Sequence, residues 1–229
     1  MATFVLIHGA GDVGWYWHLV EEELRAQGHD VVASDLPCDD DAAGLAEYAD
    51  VVIDAIPDGG ELVVVGQSFG AFTATLVAER VRADLLVLVA GMVPAPGEKP
   101  EDWFAATGWD PSDRETPRPD GADETDDGPT DVFYHDVPAA LAAEARRRER
   151  EQSDTPGTSP WPLTSWPAIP TRFVLCTEDR LFPPTFMRRV VADRLAIAPD
   201  EIAAGHCVAL SRPKELAGML AGYLAPDRP

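Results

Sequence analysis

The residues best placed for chemistry are in the pentapeptide Gly66-Gln67-Ser68-Phe69-Gly70. It stands directly after an apolar run at 62–65 and directly before a segment of helical pattern. A G-x-S-x-G stretch in that position makes a tight strand-to-helix turn. The turn presents the serine hydroxyl at a helix N-terminus, where backbone N–H groups and the helix dipole favour negative charge. The flanking glycines let the turn pass close to its neighbours. Gly70, Ala71 and Ala74 let the helix sit close to the sheet. A serine hydroxyl is a weak nucleophile and needs a base that is itself oriented by an acid. The chemistry to look for is attack of Ser68 on a carbonyl carbon. The plain alternative is a turn-forming serine in a glycine-rich bend, which the strand–helix placement argues against.

This motif goes with the chain order serine, acid, histidine. Of the five histidines, only His135 and His206 follow Ser68. His206 lies in Ala204-Gly205-His206-Cys207, between an expected last strand at about 200–203 and a final helix, and is taken as the base. His135, between Tyr134 and Asp136, falls in an irregular stretch and is not assigned a role. The acid should follow the run that ends at Cys176, where Glu178 and Asp179 both qualify. Asp179 is the choice, because Asp179-Arg180-Leu181-Phe182-Pro183 places it at the turn into the next helix. Glu178 is the reserve, and Gly91-Met92-Val93-Pro94, one strand earlier, offers no acid. Two N–H donors for a developing oxyanion are expected from Phe69, after the nucleophile, and from Ala10, in the loop His8-Gly9-Ala10-Gly11. His8 reads as a structural hydrogen-bonding residue and Asp35 as a loop or capping residue.

These residues need a scaffold that brings loop ends together. Short runs of Val, Leu and Ile at 4–7, 31–33, 61–65, 85–90 and 172–176 each stop at Gly, Ser-Asp or Thr-Glu-Asp. Such runs read as parallel strands covered on both faces. Helical patterns lie between them, at 15–27, 42–56, 69–82, 184–195 and 213–224. The alternation predicts an α/β fold with a doubly wound, mostly parallel sheet of about six strands. Ligands in such sheets bind at the carboxyl ends of the strands. The same ends carry Ala10, Ser68, Asp179 and His206.

Residues 93–169 break the alternation. They are rich in Pro and Gly, and the part from 110 to 136 is densely acidic. The expectation is a lid inserted into a core of 1–92 and 170–229, with helical pieces at 100–106 and from Pro138 to about Arg150, since a structureless loop of that length is unusual in a compact domain. Asp136 would cap the second piece. Its basic end, Arg146-Arg147-Arg148-Glu149-Arg150, suits a helix C-terminus. The lid aromatics Trp103, Phe104, Trp109, Phe133 and Tyr134 suggest an apolar or aromatic substrate.

Composition narrows the partners. The 229 residues carry 40 Asp and Glu against 18 Lys and Arg, a net charge of -22. So acidic a surface repels phosphate backbones and anionic lipid heads, which argues against nucleic acid and membranes. It favours neutral or cationic small molecules over anionic ones, an effect that salt should weaken. Three cysteines, Cys38, Cys176 and Cys207, are too few and too scattered for a disulfide scaffold or a cysteine zinc site. Neither a signal peptide nor a membrane span is legible, so a cytoplasmic protein is expected.

With these pieces assembled, the chain resembles the α/β-hydrolase superfamily. Within it, the chain is similar to the branch of plant methyl esterases, hydroxynitrile lyases and many small bacterial esterase-like proteins. The resemblance rests on Leu6-Ile7-His8-Gly9-Ala10, Trp15, Trp17, Asp35-Leu36, the Ser68 pentapeptide, Trp166-Pro167-Ala168-Ile169-Pro170, Glu178-Asp179, and Gly205-His206 with Ser211-Arg212-Pro213. It implies a sheet lacking the two strands that usually open the family's sheet. The lyases of the branch carry Thr where this chain has Gly9, and Lys where it has Cys207. Both departures favour an esterase.

The expected activity is therefore serine hydrolysis of a small carboxylic ester or thioester, using Ser68, His206 and Asp179 with Ala10 and Phe69 as the oxyanion hole. No cofactor and no metal are called for. A lyase or C–C bond hydrolase with the same triad, and a non-catalytic binding protein on this fold, are the alternatives. Oligomeric state stays open, a homodimer included.

Overall fold

The computed structural model describes residues 1–109 and 130–224. Most of the acidic stretch expected in the lid, residues 110–129, lies outside them.

Six strands form one sheet: β1 (Ala2–Ile7), β2 (Asp30–Val32), β3 (Glu61–Gln67), β4 (Leu85–Val89), β5 (Thr171–Cys176) and β6 (Asp200–Ile202). Their order across the sheet is β2-β1-β3-β4-β5-β6, and every pairing is parallel. The chain thus starts one strand in from an edge, adds β2 on one side and β3 to β6 on the other, which makes the crevice beyond β1 and β3 the switch point of the sheet. Phe4, Val5, Leu6 and Ile7 are each at most 1% exposed. Both faces of the strand are therefore buried, which explains its unbroken apolar run.

Helices cover the two faces. Against one pack α2 (Leu45–Asp54), α3 (Gly70–Val81) and α8 (Pro184–Leu195), with Phe72, Phe173 and Phe182 in the core. Against the other pack α1 (His18–Ala26), α9 (Val208–Ser211) and α10 (Pro213–Gly222), with Trp17, Phe4 and Leu216 in the core.

The strands fall where the apolar runs place them, with ends moved by one or two residues. β3 runs two residues further, through Gly66 and Gln67, up to Ser68. The first helix is shorter than the pattern at 15–27, because Gly14–Trp17 is a 3-10 turn. Asp35 explains that start. Its Oδ1 accepts the Gly14 N–H at 2.8 Å.

Between β4 and β5 lie short helices α4 (Trp103–Thr107), preceded by a 3-10 turn at Pro100–Asp102, then α5 (Thr130–Tyr134), α6 (Ala139–Arg148) and α7 (Thr155–Thr158). The pieces at 100–107 and 139–148 match the expectation. Pro138 is the N-cap of α6 rather than a first-turn residue, and Asp136 makes no capping bond there. Its carboxylate is engaged elsewhere, as described below. The segment is anchored to the core by Arg194, which donates to Glu98 at 2.7 Å and to the Val93 carbonyl at 2.6 Å. Trp103, fully buried, donates its indole N–H to that same carbonyl at 2.9 Å.

Candidate active site

The turn between β3 and α3 has the strain its sequence implies. Ser68 has φ 52°, in the left-handed region that non-glycine residues avoid. The strain is held by three backbone bonds. Ser68 N–H donates to Val89 at 3.2 Å, while its carbonyl accepts from Met92 at 2.9 Å and Ala71 at 3.2 Å. The glycines are required by contact. A Cβ on Gly66 would lie 2.4 Å from the Ala74 Cβ, and one on Gly70 would lie 2.3 Å from the His8 carbonyl oxygen.

The structure brings the three residues expected at the centre into one hydrogen-bonded chain. Ser68 Oγ is 3.0 Å from His206 Nε2, and His206 Nδ1 is 2.7 Å from Asp179 Oδ2. A carboxylate only accepts, so the Nδ1 proton sits toward Asp179 and the Nε2 lone pair faces the serine hydroxyl. His206 is 2% exposed and Asp179 3% exposed. The second carboxylate oxygen, Oδ1, accepts the N–H groups of Leu181 and Phe182 at 2.8 and 2.9 Å. These bonds fix the orientation of the acid. The edges of Phe133 and Phe182 close on the imidazole, with centroids 5.5 and 5.3 Å away. Glu178, the reserve acid, has an exposed side chain that makes no hydrogen bond or ion pair among the described residues.

Ala10 and Phe69 both line the cavity that Ser68 and His206 face, about 830 Å³ in volume. Neither residue's backbone N–H is used in a hydrogen bond among the described residues. The Ala10 loop is tied to its neighbours through His8. His8, fully buried, accepts the Leu36 N–H at Nε2 (3.0 Å) and donates from Nδ1 to the Gly9 carbonyl (2.9 Å). Burial pulls its pKa down to about 4, so it is neutral and structural. A side chain at position 9 would press on the end of Gln67. A Cβ there would lie 2.6 Å from Gln67 Oε1 and 3.1 Å from the Ser68 Cβ.

The cavity walls are mostly apolar, with Met92, Phe104, Phe133, Leu181 and Phe182. Of the five aromatics expected to shape it, Phe104, Phe133 and Tyr134 line it. Trp103 and Trp109 do not. Trp103 packs on Phe182 and Phe186, and Trp109 packs on Phe104 and donates to the Leu181 carbonyl at 3.1 Å.

A polar rim comes from Asp12, Glu149, Arg146 and Arg150. Burial raises Asp12 to about 7, with Glu149 and Asp35 adding to the rise and the Val13 N–H opposing it. Arg150 pairs with Asp35 at 2.8 Å, Arg147 and Arg148 pair with Glu144, and Arg146 lies over the Tyr134 ring. The basic run is therefore internally partnered. Cys207, next to His206, is a buried thiol held well above its ordinary pKa by desolvation.

Some residues at the site have no sequence signal of their own. Gln67, buried next to Ser68, donates weakly to the His206 carbonyl at 3.4 Å. Gln152 Oε1 accepts the Gly11 N–H at 3.0 Å, and Arg150 N–H donates to the Gly11 carbonyl at 2.7 Å. Both bonds join positions about 140 apart in sequence, which no local pattern reveals.

Fold and site together define a class. The profile of the Alpha/beta hydrolase family matches residues 4–219, and the chain belongs to that family. Its relatives include norfluorocurarine synthase 1 from a Strychnos species, 24% identical over 93% of this chain and 91% of that one. Methylesterase 3 of Arabidopsis thaliana is 23% identical over 94% and 93%. Among solved structures, polyneuridine aldehyde esterase superposes with a TM-score of 0.79 at 21% identity, covering 97% of this chain and 99% of the other.

Proposed function

We propose that this protein is a serine hydrolase that cleaves small, apolar carboxylic esters. The observation that carries the reading is the continuous chain Ser68–His206–Asp179, whose Ser68 and His206 line a cavity of about 830 Å³. Ser68 Oγ attacks the ester carbonyl while His206 Nε2 takes its proton. Asp179 holds the imidazole in the receptive tautomer and stabilises the imidazolium. The N–H groups of Phe69 and Ala10 receive the oxyanion. The alkoxide leaves with the proton from His206, and water then resolves the acyl-enzyme by the same route. Relatives named as esterases agree with this reading.

Residues 93–169 act as a cap over a core of 1–92 and 170–229, and Phe104, Phe133 and Tyr134 select an apolar group of the ester. A cyanohydrin-lyase arrangement is disfavoured by two facts. Position 9 is Gly rather than Thr, and Cys207 carries no positive charge. No helix among the described residues is long and apolar enough to cross a membrane. Three unpaired, buried cysteines fit a reducing cytoplasm.

The test is release of nitrophenol from a series of p-nitrophenyl esters of increasing acyl length. The reading expects saturable turnover that Ser68→Ala removes. Turnover that survives in Ser68→Ala, or none in the wild type across the series, would sink it.

A further inference from the structure

Two consecutive cap residues hold the backbone next to both partners of the serine. His135 Nε2 donates to the Glu178 carbonyl at 2.9 Å, and Asp136 Oδ2 accepts the Gly205 N–H at 2.8 Å. Glu178 immediately precedes Asp179, and Gly205 immediately precedes His206. The two held loops are also bonded to each other, since Glu178 N–H donates to the Ala204 carbonyl at 3.0 Å. The contact is close. A Cβ on Gly205 would lie 2.6 Å from both His135 Nε2 and Asp136 Oδ1. A side chain at 205 would have to displace the tips of the cap pair.

Asp136 Oδ1 is itself buried and has no hydrogen-bond partner among the described residues. A buried carboxylate oxygen without a partner is costly. The α6 start, two residues on, gains no side-chain cap from it. The best use of Asp136 in this structure is the charge-assisted bond to Gly205.

We propose that His135 and Asp136 form a positioning pair, by which the cap sets the alignment of Asp179 and His206 toward Ser68. The pair touches no reacting atom and acts through the backbone one residue away from each. The inference rests on the assignment of Ser68, His206 and Asp179 in the proposed function. Displacing a reacting group by about 1 Å can cost about 100-fold in rate. Loss of the Gly205 anchor should therefore lower kcat while leaving KM, which reports the cavity walls, nearly unchanged.

The experiment compares Asp136→Ala and Asp136→Asn with the wild type on p-nitrophenyl acetate, and follows the low-field proton resonance of His206 Nδ1–H by NMR. Asp136→Ala should lower kcat about 10- to 100-fold with KM within about twofold, and should shift or broaden that resonance. Asp136→Asn keeps an oxygen acceptor for Gly205, and should restore both the rate, to within about threefold, and the resonance. Three results overturn the proposal. One is a folded Asp136→Ala with kcat within twofold of wild type. Another is a raised KM at intact kcat, which would make the pair a pocket wall. The third is an Asp136→Asn as impaired as Asp136→Ala. Should Asp136→Ala not fold, His135→Leu decides, with a drop in kcat at constant KM expected and unchanged kcat overturning. The NMR arm reads the Asp179–His206 bond without turnover, so it separates this proposal from a failure of the ester-hydrolase reading.

Discussion

Replacing Asp179 by Asn should abolish most of the activity, because the structure fixes which way the new amide points. Two backbone N–H groups, from Leu181 and Phe182, aim at Asp179 Oδ1 from 2.8 and 2.9 Å. In Asp179→Asn that position must hold the amide oxygen, since an NH2 group there would face two donors. The NH2 then faces His206 Nδ1, where Oδ2 now accepts at 2.7 Å. Nδ1 becomes an acceptor, and the imidazole proton moves to Nε2, 3.0 Å from Ser68 Oγ. A base protonated on that side cannot take the serine proton. A wrong tautomer of this kind costs on the order of 10,000-fold in kcat. That corresponds to about 5 kcal/mol of transition-state stabilisation at about 1.4 kcal/mol per tenfold. The substitution is isosteric, so the fold should persist. The assay is kcat on a p-nitrophenyl ester, with circular dichroism melting as the control for folding. A folded Asp179→Asn that keeps kcat within tenfold of wild type would refute the tautomer argument. Glu178→Gln is the matched control. Its side chain is exposed, so its kcat should stay within about twofold.

The other predictions concern packing and pH. Gly70→Ala forces a Cβ to within 2.3 Å of the His8 carbonyl oxygen. It should cost about 1–3 kcal/mol in urea unfolding and lower kcat as the turn shifts, and an unchanged midpoint would contradict the packing. His8 has a folded pKa of about 4 against an ordinary 6.5. The unfolded chain takes up this proton first as pH falls, so the stabilisation is full above about 6.5 and is lost as pH drops toward 4, roughly 3 kcal/mol in all. The loss is read as the difference between wild type and His8→Gln in urea titrations from pH 7.5 to 4, and equal pH dependence in the two proteins would contradict it. Asp12 has the opposite sign. Its folded pKa is raised to about 7, so the unfolded chain ionises first, and stability falls as pH rises from about 4 to 7. Asp12→Asn should remove that fall, so that its stability rises more steeply with pH between about 4 and 7 than that of the wild type, and an unchanged slope would contradict the burial argument.

The parts of this protein legible in its sequence are those built from local pattern. The strands are buried on both faces, so β1, β3 and β4 read as plain apolar runs. Ser68, Asp179 and His206 sit just past strand ends, where a parallel sheet puts its chemistry. The elements missed are short or nonlocal. Helices α5 and α7 have five and four residues, too few for an apolar stripe to repeat. Asp136 reads as a helix cap because local spacing allows it, but Gly205, 69 residues away, claims its carboxylate. His135 is found at the site, through Glu178, though its sequence context marks only an irregular segment. Trp103 reads as a pocket aromatic from composition, and packing against Phe182 and Phe186 takes it into the core instead.

The central claim is that Ser68 is a nucleophile activated by His206. Its most direct test is reaction of the purified protein with a fluorophosphonate, followed by intact-mass measurement and peptide mapping. The account predicts a single adduct on Ser68, formed rapidly in the wild type, strongly slowed in His206→Ala and absent in Ser68→Ala. No adduct in the folded wild type, or an adduct on another residue that persists in Ser68→Ala, would contradict it.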